Sequence, residues 1–347
     1  MPAYVRGMSE TTFDALALDH AGAPVRLRKQ TLGSPGDDEL LVRVAYASIN
    51  KMDPGLAQRN LFQLPEPYVL GFDFSGEVVR AGTSGGFTNG DQVFGRSERG
   101  GCFAQMAMVK AANTLRRGAL PPAEASTYGI AYLTAYESLV PTAKVQDHAG
   151  KWIYVAGAGG GVGHFAAQIA RLHGLKVIGS AGKPDSLKLL RDLRLDAVID
   201  YSNDDVVAEV LRITGGKGAD LVYDSTYSQA SYDQSTALVA AGGDYVRLGT
   251  ELQLSRAGAR DMTAAVEARG ARMVIADLGR YQMVPEYIAR LPEIVEGQRR
   301  AIGWFEEGKL RPVITAVVPF EAAALQKAFD DFWKGATNVG KVVVKCT

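Results

Sequence analysis

A run of glycines at residues 157–163 is the segment whose residue types and spacing most clearly indicate a binding function. It follows a short apolar segment, Trp152 to Ala156, and precedes apolar residues at helical spacing that continue to Gly174. Strand, glycine turn and helix in this order are the context in which dinucleotides bind, because glycine lets the backbone approach a pyrophosphate and the helix N-terminus attracts an anion. The alternative is a glycine-rich loop without a ligand.

The frame of the glycine motif assigns separate tasks to its residues. A strict G-x-G-x-x-G does not fit, and the best frame begins at Ala158, with alanine in the position of the first glycine. In this frame Gly160 allows a pyrophosphate to come close, and Gly163 lets the helix pack near the strand. With Gly161 and Val162 between them, these residues are predicted to bind the cofactor.

The end of the next predicted strand favours NADPH over NADH. An NAD site places an acidic residue about 20 residues beyond the glycine loop, where the carboxylate binds the ribose hydroxyls. Here the segment from Ile178 to Lys183 contains no acidic residue. Ser180 and Lys183 could instead hydrogen-bond and neutralise a 2′-phosphate. The alternative is that Ser180 turns the chain and Lys183 is a solvated surface charge.

The composition is that of an ordinary globular protein. The 347 residues suffice for two domains, and 38 basic and 38 acidic side chains cancel, which argues against nucleic-acid and membrane-surface partners. No apolar run approaches the roughly 20 residues of a membrane helix. The first residues lack the apolar core of a signal peptide, so we expect a cytoplasmic protein. Two cysteines are too few for a cysteine-rich zinc site.

The elements that would position these residues change in kind along the chain. Up to about residue 120 the sequence predicts short strands and turns, as in a small β-barrel, with strands at 12–19 and 39–50 and a polar loop at 51–67. From Lys151 onward, short apolar strands alternate with helices, which is typical of a doubly wound parallel sheet. An amphipathic helix is expected over 285–307, and further elements follow to the end of the chain.

Six segments distributed over the chain, in this order, carry a family resemblance: Gly71–Val78, Gly90–Gly95, Tyr132–Leu139, the glycine loop, Lys217–Asp224 and Gly340–Val344. Together they resemble the medium-chain dehydrogenase/reductase superfamily, in its zinc-free quinone oxidoreductase-like branch. The resemblance extends from about residue 39 to the end of the chain. It implies an α/β fold in which a Rossmann domain (138–283) is inserted into a GroES-like β-barrel catalytic domain (1–137 and 284–347).

The resemblance also implies that the chain binds no metal. Zinc-dependent relatives have a cysteine, an aspartate three residues later, and a Gly-His-Glu segment. The corresponding residues here are Asn50, Asp53 and Gly71-Phe72-Asp73. An amide and a phenyl ring cannot replace thiolate and imidazole as zinc ligands. Without a Lewis acid, hydride removal from an alcohol is difficult, whereas reduction of a quinone or a conjugated double bond needs only a hydrogen bond or a proton.

Individual site residues are implied by the same resemblance. Asn50 would face the nicotinamide and could orient a substrate carbonyl, or it could cap the loop after its strand. Asp53 would brace the site. Thr134 resembles a threonine near the nicotinamide, or is an ordinary helix residue. Tyr201 would lie near the adenosine phosphate. Asn338 corresponds to a residue that touches the cofactor, or belongs to a plain turn.

These observations predict an NADPH-dependent, zinc-independent reductase of quinones or α,β-unsaturated carbonyls, with a small electrophile as substrate. Relatives that reduce quinones or enoyl groups often carry tyrosines at positions occupied here by Gly55 and Phe62, so the proton donor is unassigned. The segment Arg272–Asp277 resembles the edge strand through which relatives form dimers, so we expect a homodimer. An enoyl-thioester reductase and a non-catalytic NADPH-binding redox sensor remain as alternatives.

Overall fold

The chain divides into two compact units. The computed structural model describes residues 10–249, 260–280, 285–335 and 339–347. Unit 1 comprises residues 1–130, 314–337 and 341–347, and unit 2 comprises residues 131–313 and 338–340. The chain therefore passes from unit 1 to unit 2, returns to unit 1 at residue 314, and contributes residues 338–340 to unit 2 before it ends in unit 1. None of the described helices combines the length and apolar character that a membrane span requires.

Unit 1 consists mainly of short antiparallel strands. The described strands are β1 (Thr11–Leu18), β2 (Arg26–Leu32), β3 (Glu39–Ile49), β4 (Tyr68–Val69), β5 (Asp73–Ala81), β6 (Gln92–Arg96), β7 (Met106–Lys110), β8 (Thr114–Arg116), β15 (Ile314–Pro319) and β16 (Lys341–Lys345). In the described residues, one sheet has the order β2-β1-β4 and a second has the order β15-β16-β3-β5-β6-β8, with β7 also paired to β3. The β15–β16 pair is parallel. The described α-helices are α1 (Met52–Arg59), α2 (Pro122–Ala125) and α11 (Ala322–Trp333).

Strand β3 forms the centre of unit 1. Its apolar residues Leu40, Val42 and Val44 are fully buried in one cluster with Phe74 of β5. Branched and aromatic side chains suit such a pleated, buried surface. The strands predicted at 12–19 and 39–50 correspond to β1 and β3.

Helix α1 lies within the segment 51–67, which the sequence analysis predicted to be a loop. Pro54 and Gly55 have low helix propensity, so the sequence does not predict this helix, although proline is tolerated in the first turn. Asp53 also lies in that first turn, where a carboxylate stabilises the helix N-terminus. The helix ends at Arg59, and the following residue, Asn60, caps it with a left-handed backbone of φ 41°.

Unit 2 is a doubly wound parallel sheet with helices between its strands. The described strands are β9 (Trp152–Ala156), β10 (Lys176–Ala181), β11 (Ala197–Asp200), β12 (Ala219–Asp224), β13 (Val239–Leu248) and β14 (Arg272–Ala276). The described helices are α3 (Ala131–Glu137), α4 (Gly163–Leu172), α5 (Pro184–Asp192), α6 (Val206–Ile213), α7 (Gln229–Thr236), α8 (Thr263–Glu267), α9 (Pro285–Ile288) and α10 (Leu291–Glu306). The sheet order is β11-β10-β9-β12-β13-β14, so its direction of winding reverses between β9 and β12. Sheets of this type bind ligands at that reversal, beyond the carboxyl ends of the strands.

The unit boundaries lie at 130/131 and 313/314, whereas the sequence analysis placed them at 137/138 and 283/284. The physical reason is the packing of α10 on α3 within unit 2. Tyr132 Oη donates a hydrogen bond of 2.8 Å to Gly297 O. A Cβ on Gly297 would lie only 2.5 Å from Tyr136 Cδ1, so the two helices approach closely. The helix predicted over 285–307 is two helices, with Pro292 in the first turn of the second.

Candidate active site

The glycine turn between β9 and α4 has the geometry that its sequence predicts. Gly157 has a positive φ of 68°, which favours glycine. A Cβ on Gly163 would lie 2.1 Å from Gly157 O, so this residue must be glycine for the helix to approach the turn. Helix α4 begins after Val162 with no side-chain hydrogen bond at its N-cap. An anion can therefore satisfy N–H groups of its first turn.

A second segment of unit 2 fastens the glycine turn. Gly340 N donates a hydrogen bond of 2.8 Å to Gly159 O. Gly160 N donates to Gly157 O at 2.9 Å, which closes the turn on itself. The predicted cofactor contact at Asn338 lies outside the described residues, so its role stays a prediction.

The carboxyl ends of β10 and β11 bring Lys183 and Tyr201 to the same edge of the sheet. Lys183 is half-buried and lies directly before α5. The ring of Tyr201 packs over Gly182, where a Cβ would lie 2.1 Å from Tyr201 Cε2. Tyr201 is nevertheless 55% exposed, so its ring is available to a ligand. Ser202, which the sequence analysis missed, donates from Oγ to Gly182 O at 3.0 Å.

Ser180, a predicted contact of the 2′-phosphate, is largely shielded from solvent. It is only 3% exposed, and its Oγ forms a hydrogen bond of 2.8 Å with Tyr154 Oη inside the sheet. The nearby carboxylate of Asp200 is already used within its own turn. It accepts hydrogen bonds from Ser202 N at 3.0 Å and from Asn203 Nδ2 at 2.8 Å. Lys183 and Tyr201 are therefore the better candidates for a 2′-phosphate contact.

Thr134 is half-buried on α3, and its carbonyl accepts a hydrogen bond of 2.6 Å from Ser138 Oγ. This bond engages the backbone of Thr134 and leaves the predicted cofactor contact of its side chain as a prediction. Three tyrosines are possible proton donors by type. Tyr68, Tyr128 and Tyr132 are all buried in their units, which favours packing roles.

Unit 1 contains a buried polar cluster built on Asn50, Asp53, Asp73 and Lys341. Lys341 Nζ donates to Asn50 Oδ1 at 2.7 Å and to Ile49 O at 3.0 Å, and lies 3.8 Å from Asp73 Oδ2. Asn50 Nδ2 donates to the same Asp73 oxygen at 2.9 Å. The amide of Asn50 thus bridges a buried ammonium and a buried carboxylate.

The remaining partners of the two carboxylates come from neighbouring backbone and side chains. Ser48 Oγ donates to Asp73 Oδ2 at 2.5 Å. Asp53 Oδ2 accepts from Asn50 N at 2.7 Å, and its Oδ1 accepts from Gly71 N at 3.1 Å. Asp53 therefore ties α1 to the segments on both sides.

Strand pairing explains why residues so distant in sequence meet. Asn50 follows the end of β3, Asp73 begins β5 and Lys341 begins β16. Strand β3 lies between the other two strands, with Ile49 opposite Val342. The side chains at these strand ends therefore converge in the interior of unit 1.

Burial dominates the electrostatics of the cluster. It raises the pKa of Asp53 to about 7, although the N–H groups of Asn50 and Gly71 oppose the shift. Burial also raises the pKa of Asp73, and the charge of Lys341 opposes it. Burial lowers the pKa of Lys341, and the charges of Asp73 and Asp53 oppose that shift. The ammonium and the carboxylates therefore stabilise each other's charged forms in an environment that disfavours isolated charges.

The amide of Asn50, predicted to orient a substrate carbonyl, already forms hydrogen bonds within the cluster, and its role toward a substrate stays a prediction. Both ends of its amide are engaged, one with Asp73 and the other with Lys341. In addition, Asn50 O accepts from Asp53 N at 3.0 Å, as in the alternative in which Asn50 closes the loop after its strand. Asn50 holds the cluster together. Its partner Lys341 was not predicted, and its one signal in the sequence is a lysine directly before a buried apolar run.

The side chains at the positions of the metal ligands do not fit zinc. Asn50 and Phe72 supply neither thiolate nor imidazole, and an ammonium lies 2.7 Å from the amide oxygen that would have to coordinate. Within the described residues, no group of three or more His, Cys, Asp or Glu side chains could hold a metal ion.

Phe62 presents an aromatic ring to solvent. It is 52% exposed, and its ring is edge-on to that of buried Phe72 at a centroid distance of 5.9 Å. Asn60 fixes the loop, because Leu64 N donates to its Oδ1 at 2.8 Å and its Nδ2 donates to Leu64 O at 2.9 Å. At Gly55, the other tyrosine position of relatives, a Cβ would meet no atom within 4 Å. The space at Gly55 is open, and the ring of Phe62 is exposed.

A GroES-like unit combined with a doubly wound sheet and a glycine turn defines a class of oxidoreductases that use a nicotinamide cofactor. Two family models match the chain, the alcohol dehydrogenase GroES-like domain over residues 36–121 and the zinc-binding dehydrogenase over residues 161–292. The chain belongs to the medium-chain dehydrogenase/reductase superfamily, in its quinone oxidoreductase-like branch. The predicted family and fold class are confirmed.

Similar proteins cover nearly the whole chain. The quinone oxidoreductase of Pongo abelii is 27% identical over 332 residues, which span 93% of this chain and 94% of that protein. The trans-enoyl reductase pgmF of Aspergillus terreus is 30% identical over 324 residues, which span 89% of this chain and 87% of that protein. A solved structure of an alcohol dehydrogenase superfamily protein from Novosphingobium aromaticivorans matches with a TM-score of 0.82 and 28% identity, over 96% of this chain and 100% of that chain.

Proposed function

We propose that this chain is an NADPH-dependent, zinc-independent reductase of quinones or α,β-unsaturated carbonyls. The observation that carries the proposal is the buried cluster in which Lys341 and Asn50 occupy the neighbourhood of Asp73. Because its donors do not suit zinc, the protein would lack the Lewis acid that makes hydride removal from an alcohol easier. Reduction of an already polarised, conjugated acceptor does not need one. The quinone oxidoreductase relatives support this choice of substrate class.

The glycine turn and α4 would hold the pyrophosphate of the cofactor, with Gly160, Gly161, Val162 and Gly163 supplying backbone. Lys183 and the exposed ring of Tyr201 would hold the 2′-phosphate and the adenosine. No free carboxylate ends β10, since that strand ends in Ser180-Ala181. When bound, NADPH supplies the hydride.

Phe62 and the open space at Gly55 would give a planar, conjugated substrate an apolar surface to pack against. Neither residue can donate a proton, so water is the proposed proton source for the reduced acceptor. The two residues thus select substrates by shape and polarity rather than by a fixed hydrogen bond.

Enoyl-thioester reduction is the second candidate, and the 30% identity to a trans-enoyl reductase favours it specifically. A panel of quinones, enones and enoyl-CoA esters with NADPH distinguishes the candidates. We expect turnover with quinones or enones, unaffected by a zinc chelator. Fast turnover of enoyl-CoA alone would establish the second candidate. Tight NADPH binding without turnover of any acceptor would identify a non-catalytic redox sensor.

We also propose that the protein forms homodimers through β14. This strand is at the edge of its sheet in the described residues, and an unpaired edge favours a partner strand. Light scattering coupled to gel filtration measures the mass. We expect a dimer that Ile275→Glu converts to a monomer with wild-type secondary structure. A wild-type monomer at micromolar concentration would contradict the proposal.

A further inference from the structure

His164 is the second residue of α4 and is completely buried, yet the predicted cofactor motif gave it no role. Its Nδ1 lies 2.9 Å from Gly160 O, inside the glycine turn. Val313 N donates a hydrogen bond of 3.3 Å to its Nε2 from a distant part of unit 2. The imidazole therefore connects the glycine turn to the segment 311–313.

The two contacts define the protonation state of the ring. A backbone N–H can only donate, so Nε2 must be the unprotonated acceptor. The proton of the neutral imidazole is then on Nδ1, which donates to Gly160 O. The same carbonyl also accepts from His164 N at 3.1 Å. Two donors from one residue thus fix the direction of the Gly160 carbonyl.

The direction of this carbonyl determines that of the next N–H group. In a trans peptide the carbonyl and the following N–H point in opposite directions. Because His164 holds the Gly160 carbonyl toward the helix, the N–H of Gly161 is turned to the other side of the turn. Backbone N–H groups directed out of a glycine turn are the groups that bind a pyrophosphate.

The ring itself is supported from behind by the segment 311–313. One turn further along α4, Gln168 Nε2 donates to Arg311 O at 2.9 Å, and Arg311 N donates to Gln168 Oε1 at 2.9 Å. Gln168 Nε2 also donates to His164 O at 3.0 Å. These bonds align Arg311 and Val313 along one face of α4, so that the N–H of Val313 meets the imidazole.

We propose that His164 is a positioning residue for the nicotinamide cofactor: it orients the Gly160–Gly161 peptide toward the pyrophosphate and is itself held by the Val313 amide. This inference rests on the proposed binding of a dinucleotide at the glycine turn. It does not depend on the choice between NADPH and NADH, since both contain the pyrophosphate.

Two substitutions separate the contacts. His164→Phe keeps an aromatic ring and removes both hydrogen bonds, whereas His164→Asn keeps a short side-chain donor for Gly160 O and loses the contact with Val313. His173→Phe is the matched control, because it makes the same change at the other end of α4. The dissociation constants of NADPH and NADH are measured for each variant, together with the Michaelis constant of the electrophile.

We expect His164→Phe to raise both dissociation constants by about tenfold. His164→Asn should retain at least half of the lost binding free energy, and His173→Phe should change neither dissociation constant. Reduced nicotinamide mononucleotide, which lacks the pyrophosphate, should react equally well with all variants. The Michaelis constant of the electrophile should not change. Unchanged dinucleotide affinity in His164→Phe, or equal losses with the mononucleotide, would refute the positioning role.

Hydrogen exchange in the wild-type protein tests the same inference without a substitution. Dinucleotide binding should slow exchange of the Val313 amide, because a fixed glycine turn holds the imidazole that accepts its hydrogen bond. Binding with no change at Val313 would contradict the inference. A wild-type protein that binds neither NADPH nor NADH would instead refute the proposed function, on which the inference rests.

Discussion

Replacement of Lys341 by methionine removes the one ammonium from the buried polar cluster while keeping most of the side-chain volume. Its Nζ donates to Asn50 Oδ1 at 2.7 Å and to Ile49 O at 3.0 Å, and lies 3.8 Å from Asp73 Oδ2. The substitution leaves two acceptors without this donor and the Asp73 charge without its counterion. Breaking a buried pair from one side costs about 3–5 kcal/mol of the free energy of unfolding.

The sign of the pH dependence follows from Asp73. Burial already raises its pKa, and the charge of Lys341 opposes that shift. Without the ammonium, the folded-state pKa rises further above the unfolded value. Between the unfolded and the folded pKa of Asp73, the folded variant binds a proton that the unfolded chain releases. Its stability therefore falls as the pH rises through that interval. The destabilisation by Lys341→Met should therefore be larger at about pH 8 than at about pH 5.

Urea unfolding of the single and double variants measures these energies. In Lys341→Met with Asp73→Asn, both charges are absent, so we expect recovery of about half of the loss or more. A cost below about 1 kcal/mol for Lys341→Met at both pH values would refute the assigned role of the ammonium. A double variant no more stable than the single one would refute the pairing with Asp73.

Three further predictions concern single residues. Burial raises the pKa of Asp53 to about 7, so its contribution to the free energy of unfolding falls as the pH rises from about 4 to about 7. Asp53→Asn should remove this contribution from the pH profile of urea unfolding, and an unchanged profile would contradict the assignment. Lys183→Ala should weaken NADPH binding by about tenfold and leave NADH binding unchanged, whereas Lys188→Ala, which changes an exposed lysine of the same region, should affect neither. Equal losses of affinity for both nucleotides would oppose a 2′-phosphate contact. Gly163→Ala should lower the free energy of unfolding by about 3 kcal/mol in thermal or urea denaturation, because its Cβ would lie 2.1 Å from Gly157 O. Gly303→Ala, whose Cβ would meet no atom within 4 Å, should cost nothing.

The sequence is sufficient to predict those features that depend on local pattern. The glycine turn, α4 and the alternation of strands and helices in unit 2 have short-range signals, and Gly163 shows the close approach that its motif predicts. Helix α1 was missed because Pro54 and Gly55 have poor helix propensity, and tertiary context overrides propensity. The break before α10 was missed although Pro292 marks it.

The polar cluster could not be predicted, because its members meet only through strand pairing. Asn50 and Lys341 are 291 positions apart, and neither residue type specifies a partner. The hydrogen bond between Ser180 and Tyr154 similarly depends on the register of two strands, which the sequence alone does not give. Site residues identified by type and position therefore need the structure to show which of their polar atoms are already engaged.

Hydride transfer is proposed to proceed without a metal. This is tested by measuring steady-state NADPH oxidation by the purified protein with a planar quinone or an enone, together with its zinc content by elemental analysis. We predict acceptor-dependent turnover by protein that contains less than about a tenth of an equivalent of zinc and is insensitive to chelator. Activity that appears only with stoichiometric zinc, or that requires an alcohol and an oxidised nucleotide, would contradict the proposed chemistry.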